Sequence, residues 1–230
     1  GSRVMVVEDD PTIGSVVEEY LRAGEYQVER FSDGAEAWRA AQRQMPDLVI
    51  VDRMLPGLDG DELCRRIREI SGVPIIMVTA LDGLEHRIRG LERGADDYIA
   101  KPFSLRELHL RVAAQLRRSA STTAPLDFEV GPFRIDPAHR RVWMGEKEIA
   151  LTAREYELML YLAQNADRVV SRDEILREVW EWAFGDSSTV TVHVRRLREK
   201  IEPDPQIPTY LCTEWGQGYR LRVTPPEASR

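Results

Sequence analysis

With 230 residues, 43% of them hydrophobic and 31% charged, the chain is long enough for one or two domains with real cores. Its formal net charge is −7 and neither half is basic, which excludes bulk affinity for nucleic acid and leaves only a local patch for any DNA contact. Apolar runs such as Val73 to Val78 are too short for a bilayer, no secretory leader is expected, and Cys64 and Cys212 form no C-x-x-C, so a cytoplasmic protein with reduced thiols and no membrane partner is expected.

Apolar runs then alternate with helical patterns. Arg3 to Val7 predicts a buried strand, and Thr12 to Ala23 predicts a helix with Ile13, Val16, Val17, Tyr20 and Leu21 at helical spacing. Tyr26 to Phe31 is a second, more polar strand, followed by a helix over Gly34 to Gln44. Leu48 to Val51 reads as a fully buried strand, with Asp52 directly after it and a Pro56-Gly57 turn beyond. Helices over 60–70, 84–93 and 104–118 alternate with strands over 73–79 and 97–99, and Ser104 with Glu107 forms a capping box. The pattern is (βα)5, a flavodoxin-like α/β unit with a parallel sheet and helices on both faces.

The polar residues fall at one end of that sheet. Glu8, Asp9 and Asp10 follow the first strand, Asp52 the third, Thr79 the fourth and Lys101 the fifth. With strand order 2-1-3-4-5, the first and third strands are neighbours at the switch point, where ligands bind. Crowded carboxylates repel unless a cation intervenes, and Mg2+ suits one or two carboxylates with waters and a phosphate oxygen. A carboxylate is a weak nucleophile, but it attacks phosphorus once charge is screened. Asp52 is the candidate nucleophile, with Lys101 and Thr79 placed to receive phosphoryl oxygens.

These residues also carry a resemblance. Val-Val-Glu-Asp at 6–9, Asp-Arg-Met-Leu-Pro-Gly at 52–57, Thr79-Ala80 and Gly-Ala-Asp-Asp-Tyr-Ile-Ala-Lys-Pro-Phe at 94–103 resemble the receiver domain of bacterial response regulators. The resemblance implies that Asp52 is the phosphoacceptor and that Glu8, Asp9, Asp52 and the Met54 carbonyl hold Mg2+. It makes Thr79 and Tyr98 a switch pair, in which the phosphoryl group draws Thr79 and Tyr98 turns inward, and Lys101 the partner of the phosphoryl group. It also implies a phosphorylation-promoted homodimer through Arg87–Glu107, Asp97–Arg111 and Asp96–Arg118 pairs. A bacterial source accords with a basic complement that is almost entirely arginine.

Ser119 to Pro125 is small, polar and without period, and reads as a flexible linker. The expected organisation is therefore residues 1–118, a linker over 119–126, a second domain over 127–224, and a tail over 225–230. Strand-like runs at 128–130, 133–135, 141–143 and 148–150, separated by turn residues, predict a small antiparallel sheet. Thr152-x-x-Glu155 and Ser171-x-x-Glu174 each open an apolar helix. In a third helix over 187–201, Val190, Val194, Leu197 and Ile201 make one stripe. At about 100° per residue, Val192, Arg195, Arg196 and Glu199 lie opposite, with His193, Arg198 and Lys200 flanking. An exposed face of that kind suits the major groove.

Gly216 and Gly218 give a closing hairpin, and hence an α+β winged helix-turn-helix. Leu-Thr-x-x-Glu at 151–155, Thr-Val-x-Val-His-Val-Arg-Arg-Leu-Arg-x-Lys at 189–200 and Gly-x-Gly-Tyr-Arg at 216–220 resemble the effector domain of the OmpR/PhoB subfamily. That resemblance implies DNA contacts by Thr189, Val192, His193, Arg195, Arg196 and Arg198, and RNA polymerase contact by the 181–187 loop. Where many members carry a wing arginine, this chain has Trp215. The expected function is a two-component transcriptional regulator that takes a phosphoryl group from a histidine kinase and binds tandem half-sites on double-stranded DNA as a dimer. A Mg2+-dependent phosphohydrolase is disfavoured because Arg53 and Met54, rather than a second acid, follow Asp52. A phosphate-independent dimerisation module is disfavoured by the complete pocket.

Overall fold

A computed structural model describes residues 1–80, 84–117, 126–181 and 187–224, with the backbone alone for 84–87. The chain divides into two compact units, Gly1–Ser121 and Thr122–Arg230. The expected linker residues 119–125, Arg118 and the 225–230 tail lie outside the described residues, as do the Arg87 side chain and most of the 181–187 loop.

In the first unit β1 (Arg3–Val7), α1 (Pro11–Ala23), β2 (Gln27–Phe31), α2 (Gly34–Arg43), β3 (Leu48–Asp52), α3 (Gly60–Ile70), β4 (Ile75–Thr79), α4 (Leu84–Glu92), β5 (Asp97–Ala100) and α5 (Leu105–Arg117) follow in strict alternation. The sheet is parallel with order β2-β1-β3-β4-β5. Every residue of β3 and β4 is buried, because helices cover both faces. Met5, Val7, Val49 and Val51 pack towards α2 and α3, while Val4, Val6, Leu48 and Ile50 pack towards α1 and α5. Asp10, Asp33 and Asp59 cap α1, α2 and α3 by accepting backbone N–H groups.

Two boundaries differ from the sequence expectation. β3 runs on through Asp52, which pairs with Val78, so the acid is the last rung of the ladder. β4 starts at Ile75 rather than Val73, since Pro74 has no N–H to donate, although its carbonyl accepts Val49 N–H at 3.0 Å.

The second unit opens with an antiparallel sheet, β6 (Phe128–Val130), β7 (Phe133–Asp136), β8 (Arg141–Met144) and β9 (Lys147–Ile149), in sequence order. Three helices follow: α6 (Ala153–Gln164), α7 (Arg172–Trp180) and α8 (Ser188–Ile201). The hairpin of β10 (Leu211–Glu214) and β11 (Gly218–Leu221) closes the unit. Both arms of the Thr152–Glu155 capping box are formed. The hairpin is tied to the start of α7 by a Val170–Tyr219 bridge. Gly218, at φ +143°, permits that approach, because a Cβ there would stand 2.0 Å from the Val170 carbonyl oxygen. Tyr156, Leu162, Val179, Val194, Leu197 and Tyr219 share one core.

Candidate functional site

Parallel pairing brings the ends of β1, β3, β4 and β5 to one edge of the sheet. Lys101, just past β5, places Nζ 2.6 Å from Glu8 Oε1 and 2.7 Å from Asp52 Oδ2. The Met54 N–H donates to the other Asp52 oxygen at 2.9 Å. One ligand oxygen from each of Glu8, Asp9 and Asp52 fits within a 4.8 Å cluster. Glu8 and Asp52 are buried while Asp9 is exposed, and Glu8 and Asp9 line a cleft with Pro11, Arg30 and Ser32.

The charge balance is uneven, with two buried carboxylates sharing one ammonium. Burial, together with the Asp52 carboxylate beside it, pushes Glu8 up to about 8. Burial alone would lower Lys101, but the Asp52 and Glu8 carboxylates outweigh it and hold the ammonium above its ordinary range. A divalent, oxygen-seeking cation fits this donor set, because it removes the repulsion that Lys101 only partly offsets.

Thr79 is the buried end of β4, one residue beyond the partner of Asp52, and its carbonyl accepts Lys101 N–H at 2.8 Å. Tyr98 is buried, in the core that holds Met77 and Ala95.

The expected dimer face is corrected in part. Asp96 is fully buried: it accepts Ile75 N–H at 2.8 Å and Arg68 Nη2 at 2.5 Å, so it joins α3 to the start of β4 instead of facing a partner. Asp97 is buried as well and accepts Gln115 Nε2 at 2.9 Å. The resemblance places both at a partner, and nothing local in the sequence shows that Arg68 and Gln115 reach them. Glu107 remains exposed; it pairs with Arg111 at 2.7 Å within α5, and Arg111 also donates to the Tyr98 carbonyl at 2.8 Å.

On α8 the expected solvent face is rotated. Arg196 is buried and donates from Nε to Glu155 Oε2 at 3.0 Å, and Lys200 pairs with the same carboxylate. His193 is buried edge-on to Trp180, with ring centroids 4.9 Å apart, and its Nδ1 lies 2.8 Å from the Thr189 carbonyl oxygen. Thr189 and Val192 are buried too. Arg196 from the buried side and Lys200 from the exposed side thus converge on the Glu155 carboxylate of α6. Burial alone would raise Glu155, but Arg196 and Lys200 hold it below its ordinary 4.5.

The exposed face of α8 is Thr191, Arg195, Glu199 and Lys200, with Arg198 half-buried beside it. Arg198 donates to the Leu211 carbonyl and to Thr213 Oγ1, each at 2.8 Å, and so fixes α8 to β10. Trp215, 90% exposed, stands at the tip of the same hairpin. The capping box had identified Glu155, but its second duty depends on residues 41 and 45 positions away and has no local signature.

A phosphoacceptor-type acid pocket on a parallel sheet, joined to a winged helix with a basic third helix, defines a response regulator: a receiver coupled to a DNA-binding output domain. The response regulator receiver domain family matches residues 4–113, and the C-terminal domain family of transcriptional regulatory proteins matches residues 146–221. The chain is 40% identical to the transcriptional regulatory protein ResD of Bacillus subtilis over 231 residues, covering 96% of each. It is 41% identical to the DNA-binding response regulator MtrA of Mycolicibacterium smegmatis over 220 residues, covering 95% of this chain and 96% of that one. The crystal structure of DrrB, an OmpR/PhoB homologue from Thermotoga maritima, superposes with a TM-score of 0.52 at 34% identity, over 96% of this chain and 99% of that one. The chain belongs to the OmpR/PhoB family of two-component response regulators, and it is a transcriptional regulator. No helix among the described residues is long and apolar enough to cross a membrane.

Proposed function

We propose that Asp52 is the phosphoacceptor and that its phosphorylation by a partner histidine kinase controls dimerisation and promoter binding in the cytoplasm. The observation that carries this reading is the Lys101 ammonium shared between Glu8 and Asp52, with the second Asp52 oxygen held by the Met54 N–H. In the transfer, an Asp52 oxygen bonds to phosphorus, the bond from phosphorus to the kinase histidine breaks, and that nitrogen keeps the electron pair. Lys101 then pairs with a phosphoryl oxygen, and the Thr79 hydroxyl donates to another. Glu8, Asp9, Asp52 and the Met54 carbonyl would hold Mg2+, which supplies charge neutralisation when bound. The same pocket supports the protein's own dephosphorylation by water.

For the output, Arg195, Arg198 and Lys200 on α8 are the proposed DNA-reading cations, and Trp215 packs against the duplex from the wing. Arg196 and His193 set the angle of α8 from within. The α4–β5–α5 side, through Arg87, Glu107, Arg111 and Arg118, is the proposed homodimer surface for tandem half-sites. The 181–187 loop is the proposed RNA polymerase contact.

The test is intact mass after incubation with a small-molecule phosphodonor and Mg2+, with Asp52→Ala alongside. One added phosphoryl group on the wild type alone is expected. Labelling of both proteins, or of neither, overturns the assignment.

A further inference from the structure

The segment after the proposed phosphoacceptor is closed by its own two ends. Arg53 follows Asp52 directly and is only 6% exposed. Its guanidinium reaches Asp61 in the first turn of α3, where Nε and Nη2 donate to one oxygen, Oδ2, at 3.2 and 3.0 Å. The backbone makes a second closure, since Gly60 N–H donates to the Arg53 carbonyl at 2.9 Å. Only a glycine allows that approach, because a Cβ on residue 60 would stand 2.3 Å from the Asp52 carbonyl oxygen and 2.6 Å from Arg53 Cα. Met54, at the stem of this closed loop, is the residue whose N–H orients Asp52.

As a source of stability the pair is poor. Removing two charges from water offsets most of their attraction. Asp61 Oδ1 is buried with no hydrogen-bond partner among the described residues, which adds a further cost. What the pair does supply is direction. A two-donor contact from a planar guanidinium fixes the Arg53 side chain, and through it the peptide between Arg53 and Met54.

We propose that the Arg53–Asp61 pair is a positioning latch for Asp52. It holds the Met54 peptide so that the N–H stays on the Asp52 carboxylate and the carbonyl stays available to a cation. Neither side chain meets the phosphoryl group, and both act through the 53–54 backbone. The inference rests on the phosphotransfer reading of Asp52.

The discriminating variant is the full chain carrying Arg53→Leu and Asp61→Leu together. It removes both charges of the pair at once, so its melting temperature is expected to stay close to that of the wild type. Two further readouts decide the matter: Mg2+ affinity by calorimetry, and the rate of phosphoryl uptake from a small-molecule donor across a Mg2+ titration. The expected result is about tenfold weaker Mg2+ binding and a matching shift of the rate profile to higher Mg2+, as for loss of groups that orient metal ligands. Wild-type affinity and rate in the folded double variant overturn the latch. If the double variant does not fold, Asp61→Asn is read in the same way: weaker Mg2+ binding supports the latch, and unchanged binding overturns it. A wild type that binds Mg2+ but takes no phosphoryl group sinks the phosphotransfer reading, and the Mg2+ titration of the variants still decides the latch.

Discussion

Each unit buries a glutamate against a lysine, and the two arrangements have opposite charge balance. In the first unit two buried carboxylates, Glu8 and Asp52, share the single ammonium of Lys101. In the second, one carboxylate, Glu155, is shared by two cations, Arg196 and Lys200. Glu8 is pushed up to about 8, while Glu155 is held below 4.5. A buried acid with surplus cations is closed and complete. A buried acid short of positive charge is poised to take a cation, a proton or a phosphoryl group. Charge balance, rather than burial or the presence of an ion pair, separates the proposed phosphotransfer site from the structural one.

The same substitution should therefore have opposite signs in the two units. Glu155→Gln removes a countercharge shared by Lys200 and the buried Arg196 and is expected to destabilise the second unit by about 3–5 kcal/mol. Glu8→Gln relieves repulsion with Asp52 and is expected to stabilise the first unit by about 1–2 kcal/mol in Mg2+-free buffer near pH 8. Urea unfolding of the full chain, with probes in each unit, measures both. Destabilisation by both changes would end the comparison.

The pH dependence of stability sharpens it. Because the folded-state pKa of Glu155 is depressed, its stabilisation is fully present above the ordinary 4.5 and is lost as pH falls through the folded value. Unfolding of the second unit should become easier below about pH 4.5, and Glu155→Gln should flatten that slope. A slope that persists in the variant would place the acid sensitivity elsewhere.

The comparison also explains what could be read from the chain. At the sheet edge, Asp52 and Thr79 end buried strands and Glu8 and Lys101 directly follow them, so alternation and strand order fix the place of all four. On α8 the helical period fixes only relative angles. That Arg196 is buried becomes visible only with its partner Glu155, which lies on another helix and whose sequence context announces only a cap. For the same reason Asp96 and Asp97 read as surface charge until Arg68 and Gln115 are seen beside them. Long-range polar pairing, not secondary structure, is what escaped the sequence.

The burial of Arg196 makes the two adjacent arginines separable. Arg195→Ala is expected to weaken specific DNA binding by about 1–3 kcal/mol with the melting temperature unchanged. Arg196→Ala is expected to lower stability first and to affect DNA binding only through the angle of α8. Footprinting beside thermal melting separates them, and a reversed pattern would return Arg196 to the groove.

The smallest expected effect concerns the wing. Trp215 is exposed at a hairpin tip that Arg198 ties to α8, so the wing travels with that helix. An indole carries no charge and releases no counterion when it packs on sugar or base. Trp215→Ala should therefore reduce affinity by about 1 kcal/mol while leaving the slope of log Kd against log salt unchanged. Trp215→Arg should do the reverse, steepening the slope by about one unit through a new phosphate contact. Titrations at several salt concentrations distinguish the two. An unchanged slope for Trp215→Arg would mean that the tip does not reach the duplex, leaving α8 alone to account for recognition.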